Sequence, residues 1–230
     1  MKNKLLIVGG DSRSSLYVKE YLRRKNIKYF FTSRNKKKKN NNIIYYDFLK
    51  CKNLIIPKNI TSVLILAGID GEKKCIKFFD DAKKISHTIL PKLIYSILKK
   101  KIFVCYISSI AVYNKDSVYG NLRLLAEKKI FEKVKQKIFL SNLCIIRPSK
   151  LLNQKKTSFK KKENKKIGII KYKSFSKYVC DVILKKKKGI FNILGDKKFL
   201  ERKLNSNNNK KIIYKNNFEI RHPKKVVVIN

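Results

Sequence analysis

Three side chains near the middle of the chain could together move a proton. Ser108 and Ser109 follow an apolar run, residues 102–107. A serine at the C-terminal end of a parallel strand lies where α/β folds bind ligands. Side chains alternate along a strand, so Ser108 and Ser109 cannot both face one site. Tyr119 and Arg123 are four residues apart in a helical pattern over residues 119–135, so they share a face. A cation there would favour the ionised form of the phenol.

A second cluster could hold a phosphate. Gly9-Gly10-Asp11-Ser12-Arg13-Ser14-Ser15 follows the apolar run Leu5–Val8 and opens a helical pattern over residues 14–25. The first N–H groups of a helix have no internal partners, so a strand, a tight turn and a helix start form a natural site for a dinucleotide pyrophosphate. Gly9, Ser12, Arg13, Ser14 and Ser15 are the residues it would meet. Serines occupy the later glycine positions, so a strand-to-helix turn without a ligand is the competing reading. The second strand, residues 28–32, runs into Ser33-Arg34. No carboxylate stands there to take a ribose 2′-hydroxyl, whereas Arg34 could pair with a 2′-phosphate. That favours NADP over NAD, the alternative being an ordinary surface arginine.

Strand and helix patterns alternate to position these groups. Further strands are expected at residues 43–46, followed by Asp47, at 63–67, ending in Gly68, and at 102–107 and 143–146. Residues 75–100 are helical in pattern, and Pro91 must break or kink them. The apolar positions Leu122, Ala126, Ile130 and Val134 form one helix face at i, i+4 spacing. This alternation predicts an α/β, Rossmann-type, doubly wound parallel sheet over residues 1–153. Residues 154–230 are expected to be a small substrate-side region, not independently folded. It contains a charged loop at 155–166, a helix at 175–184, strands at 190–193 and 226–229, and a mobile Asn/Lys tract at 203–211.

Composition bounds the function. At 43% apolar residues the chain is globular rather than disordered. No apolar run is long enough to span a bilayer, and the first is too short for a signal peptide, so the expected location is cytoplasmic. The five cysteines form no C-x-x-C pair, and His87 and His222 lack ligand-like companions, so no metal site is expected. The formal net charge is +43, mostly from lysines spread along the chain. Abundant Asn, Ile, Tyr and Phe beside few Gly and Pro match an A+T-rich coding bias better than a selected polyanion surface. Salt-dependent, non-specific attraction to nucleic acid follows either way.

The order and spacing of these pieces resemble the extended short-chain dehydrogenase/reductases, the NAD-dependent epimerase/dehydratase family, and within it the nucleotide-sugar reductases and epimerases. The similar segments are residues 7–15, Asp47, Leu66-Ala67-Gly68, 108–113, 119–127 and Ile146-Arg147-Pro148, with a weaker match at 175–195. The resemblance implies hydride transfer on a sugar nucleotide in polysaccharide synthesis. Ser109 would hold the substrate carbonyl and Tyr119 would transfer the proton. Arg123 would stand where such enzymes carry a lysine that binds the nicotinamide ribose and lowers the tyrosine pKa. Asp47 would lie on the adenine side, with Ala67 and Gly68 under the cofactor. Homodimers through paired helices are common among such enzymes. The chain departs from the pattern at Arg123, at Ser86 in the place of a helix asparagine, and in a very short loop between Tyr113 and Tyr119. Arg123 and Ser86, with Ser12 and Ser15 in the glycine turn, motivate a second reading, a non-catalytic relative that binds a dinucleotide or RNA.

Overall fold

A computed structural model describes residues 4–37, 40–134, 137–152, 169–196 and 225–229. The expected loop at 155–166 and tract at 203–211 lie outside these residues. Strands are β1 (Leu5–Val8), β2 (Tyr29–Ser33), β3 (Ile43–Tyr45), β4 (Ser62–Ile65), β5 (Phe103–Ile107), β6 (Leu143–Pro148), β7 (Lys150–Leu152), β8 (Ile169–Lys171), β9 (Gly189–Asp196) and β10 (Lys225–Ile229). Helices are α1 (Arg13–Arg24), α2 (Glu72–Lys77), α3 (Phe79–Lys84), α4 (Leu90–Lys99), α5 (Val118–Lys133), α6 (Lys137–Leu140) and α7 (Tyr172–Leu184).

Eight strands form one parallel sheet in the order β10-β9-β6-β5-β4-β1-β2-β3. The order reverses between β1 and β4. In doubly wound folds the crevice at such a switch point, beyond the C-terminal strand ends, is the ligand site. Alternation along the buried strands splits the core into two layers. Leu6, Val8, Val63, Ile65 and Val104 face α4 and α5, where Ile94, Ile97, Ala126 and Ile130 meet them. Leu5, Ile7, Leu64, Cys105 and Cys144 face α1 and α7, against Val18, Leu22, Phe175 and Val179. Cys105, Cys144 and Cys180 pack there as small hydrophobes. Burial of each such aliphatic side chain contributes about 1.5–3 kcal/mol.

The chain beyond residue 153 rejoins this sheet. β9 pairs with β6, β10 adds the outer edge beside β9, and β7 pairs with β8 in a separate parallel ribbon that periodicity does not reveal. Pro91 is the second residue of α4, and the expected irregularity lies directly before it, where its ring meets the carbonyl four residues back. There a π-helical turn, Ile85–Ile89, widens the backbone, and a separate break falls at Phe78. Among the described residues no helix is long and apolar enough to cross a membrane.

Candidate functional site at the switch point

The glycine turn is built for close approach. Gly9 has φ +92°, and a Cβ there would stand 2.9 Å from the Ala67 nitrogen on the neighbouring loop. A Cβ on Gly10 would meet the Phe31 ring and, at 2.7 Å, the Thr32 carbonyl. Ser12 caps α1 by accepting the Ser15 N–H at 3.2 Å. Ser15 is fully buried, and its hydroxyl donates to the carbonyls of Gly10 at 2.5 Å and Ser12 at 2.7 Å. Its side chain is thus engaged within the turn itself. A serine replaces glycine here because its only polar atom turns back into the turn. Arg13 and Ser14 are the first two residues of α1, so their N–H groups have no intrahelical acceptor. The Arg13 cation lies near Tyr172 at the start of α7, which stacks on Tyr17 with ring centroids 5.0 Å apart.

At the close of β2, Ser33 is buried and Arg34 is exposed. An unforeseen carboxylate joins them. Asp11 accepts the Ser33 hydroxyl at 2.7 Å and the Arg34 backbone N–H at 3.2 Å. Asp47 follows β3 at the same end of the sheet, where its carboxylate accepts the Leu49 N–H at 2.9 Å.

Across the crevice the three proposed reactive residues come together. Ser109 starts the short 3₁₀ turn Ile110–Tyr113 and accepts the Ala111 N–H at 3.1 Å. Its side chain lies near enough to the Tyr119 phenol to favour the ionised form slightly. Ser108 points the other way into the interior, as strand alternation requires. The Arg123 guanidinium lies over the Tyr119 ring, 5.0 Å from its centre, donates to the Tyr106 hydroxyl at 3.2 Å, and stands 3.9 Å from the Asp70 carboxylate. Gly68 makes room for it, since a Cβ there would be 3.1 Å from that guanidinium. Ser86 lines a small cavity behind Tyr119 and Arg123 together with Cys75.

The electrostatics reverse one expectation. Arg123 does favour the phenolate, but burial outweighs it, and Asp70 adds to burial. The Tyr119 pKa is pushed up to about 12 instead of down. Burial also opposes the charge of Arg123, yet Tyr119, Tyr106 and Asp70 hold its pKa above the ordinary arginine value. The site as folded pairs a protonated phenol with a permanent cation.

Glu72, not anticipated from the sequence, seats Tyr119. Its carboxylate accepts from the Ser117 hydroxyl at 2.6 Å and from the N–H groups of Val118 at 2.7 Å and Tyr119 at 3.2 Å, so it caps α5 from α2. The Ser117 hydrogen bond, helped by the two N–H groups and opposed by burial, holds its pKa below the usual value. A depressed folded pKa gives stability that is fully present above the unfolded value, near ~4.3, and is lost as pH falls through the folded one. Glu72→Ala is expected to cost about 1–2 kcal/mol in urea denaturation at neutral pH. Its deficit against the natural protein should shrink in acid.

Beneath the site lies a buried polar chain. Ser108 donates to Glu127 at 2.5 Å, and Glu127 pairs with Arg147 on β6 through Nε at 3.0 Å and through a second, shorter contact at Nη2. Arg147 donates to the Tyr113 hydroxyl at 2.7 Å, which donates to Asn192 on β9 at 3.3 Å. Five elements around the reactive residues are thereby tied together. Gly120 lets α5 press against the Ala111 carbonyl, which keeps Tyr119 near Ser109.

No protein-family profile matches the sequence, and no curated protein matches it. Solved structures do match the fold. MoeE5, solved with UDP-glucose and NAD, aligns with a TM-score of 0.64 at 14% identity over 83% of this chain and 75% of that one. UDP-N-acetylglucosamine 4-epimerase from Bacillus cereus aligns with a TM-score of 0.60 at 19% identity, over 83% and 77%. A hypothetical dTDP-4-dehydrorhamnose reductase from Sulfolobus tokodaii reaches 0.64 at 16% identity, over 98% and 85%. This chain thus has the Rossmann-type α/β fold of these structures, among them a nucleotide-sugar epimerase.

Proposed function

We propose that the protein is a nicotinamide-dinucleotide-dependent reductase or epimerase of a nucleotide-linked sugar, of the kind used in polysaccharide synthesis. The observation that carries this reading is the Arg123 guanidinium over the Tyr119 ring with Ser109 near the phenol, at the C-terminal edge of the sheet beside the switch-point crevice. The dinucleotide, when bound, supplies or accepts a hydride. The N–H groups of Arg13 and Ser14 hold the pyrophosphate at the start of α1. Gly9, Ala67 and Gly68 keep the crevice floor free of side chains. Ser109 hydrogen-bonds the sugar carbonyl, and Tyr119 gives or takes its proton. Arg123 keeps a cation under the phenol, in the role of the family's lysine. At the adenosine end Arg34 offers a cation to the 2′-phosphate of NADP, while Asp11 sets a carboxylate near it. MoeE5 with its UDP-glucose and NAD supports this class of ligand.

A second reading, dinucleotide binding without turnover, is favoured by Arg123. Its guanidinium covers the tyrosine ring and faces Asp70 rather than standing free for a ribose. Thermal-shift titration with NAD and NADP, followed by turnover with a 4-keto nucleotide sugar, separates the two. A ligand at a hundred times its Kd should stabilise the fold by about 2.7 kcal/mol. Stabilisation with dinucleotide consumption supports the enzyme, and stabilisation without it supports the binder. No stabilisation by either dinucleotide rejects both.

A further inference from the structure

The junction of α2 and α3 leaves large apolar side chains in solvent. Ile76 is 58% exposed, Phe78 46% and Phe79 44%. The helix break at Phe78 sets them beside one another. Single exposed apolar residues need no explanation, whereas a contiguous group marks an interaction surface. Lysines border this one. Lys73, Lys74 and Lys77 on α2 and Lys83 and Lys84 on α3 are all exposed. The Lys77 ammonium lies 5.3 Å from the centre of the Phe78 ring, and the Lys83 ammonium 5.9 Å from that of Phe79. Against these cations the same stretch exposes Asp80 and Asp81, while Glu72 is engaged in capping α5.

Charge decides what such a surface can meet. The chain has a formal net charge of +43, so a second copy is repelled and an anionic partner attracted. Single-stranded nucleic acid stacks its bases on open aromatic faces. Here an ammonium stands over each ring, and Ile76 has no π face to offer. An anionic bilayer uses every part. Apolar side chains enter the boundary between headgroups and acyl chains, and lysine stems lie along them while their ammoniums reach the phosphates.

We propose that the α2–α3 junction docks on an anionic lipid surface, with Ile76, Phe78 and Phe79 inserting and the bordering lysines pairing with headgroups. The proposal is independent of the functional reading. Because α2 also carries Glu72, which seats Tyr119, docking sets the candidate site beside the membrane.

The chain contains no tryptophan, so a single introduced one reports its own surroundings. Full-length Phe78→Trp and Phe79→Trp are mixed with vesicles of phosphatidylcholine and phosphatidylglycerol carrying brominated acyl chains. Both should shift their emission to the blue and be quenched. Ile55→Trp, at a site 78% exposed in the loop that leads into β4, should stay unquenched. Vesicles of phosphatidylcholine alone should bind at least about tenfold more weakly. The pair Phe78→Ser, Phe79→Ser should lower partition into the anionic vesicles by at least about tenfold in co-sedimentation. Equal quenching at all three positions overturns the proposal, because it reports adhesion of the lysine-rich chain as a whole. Equal binding to neutral vesicles overturns it too. So does a blue-shifted emission without vesicles in a protein that sediments as a dimer, which assigns the face to a second copy. A response to polyuridylate but not to vesicles assigns it to RNA and likewise overturns it.

Discussion

Tyr119→Phe is expected to lower turnover by about 10²–10⁴-fold while leaving dinucleotide binding close to that of the natural protein. The substitution removes only the hydroxyl that lies near Ser109 and keeps the ring on which the Arg123 guanidinium lies. Packing and the local charge are therefore preserved, and the loss reports proton transfer. The pH dependence adds a second readout. Burial first, and Asp70 after it, push the phenol up to about 12 against the pull of Arg123. Near neutrality Tyr119 is thus protonated and poised to donate to a carbonyl oxygen, so reduction should be level through neutral pH. Sugar oxidation, which needs the phenolate, should rise with pH. Stopped-flow absorbance of the dinucleotide in both directions measures this. Turnover unchanged in Tyr119→Phe would remove Tyr119 from the mechanism.

Glu127→Ala is expected to destabilise the fold by about 3–5 kcal/mol, because it strands the Arg147 guanidinium in the interior. The side chains of Glu127 and Arg147 are 2% and 5% exposed. Arg147 would keep only its bond to Tyr113, and Ser108 would lose its acceptor. Against a typical total stability of about 5–15 kcal/mol, that is enough to leave much of the protein unfolded at 37 °C. The double variant Glu127→Leu, Arg147→Met removes both charges and should recover most of the loss, since the cost lies in the unpaired ion rather than in the missing attraction. Urea denaturation of the three proteins measures it. A deficit under about 1 kcal/mol in Glu127→Ala would mean that water reaches Arg147.

Ser109, Tyr119 and Arg123 were legible because each stands in a local pattern. An apolar strand ends next to the serine, and a four-residue helical spacing joins the other two. The same locality explains why β1, β5 and β6 are found where their apolar runs lie, and why the switch-point crevice falls beside Gly9 and Gly68. Glu72 and Asp11 had no such signal. One caps a helix 45 residues later, and the other reaches a strand end 22 residues away, so their partners are neighbours only after folding. The inward Ser15 hydroxyl likewise depends on what surrounds the backbone.

By itself, the order of apolar runs, turns and helix faces determined the parallel sheet and placed Ser109, Tyr119 and Arg123 as candidates beside its C-terminal edge. Those features follow from periodicity along the chain. Only the tertiary structure decided that Tyr119 holds its proton, that Ser15 faces inward and that a carboxylate from the glycine turn sits at the end of β2. Burial and charge act through space, and their balance at a phenol exists only once distant segments have packed.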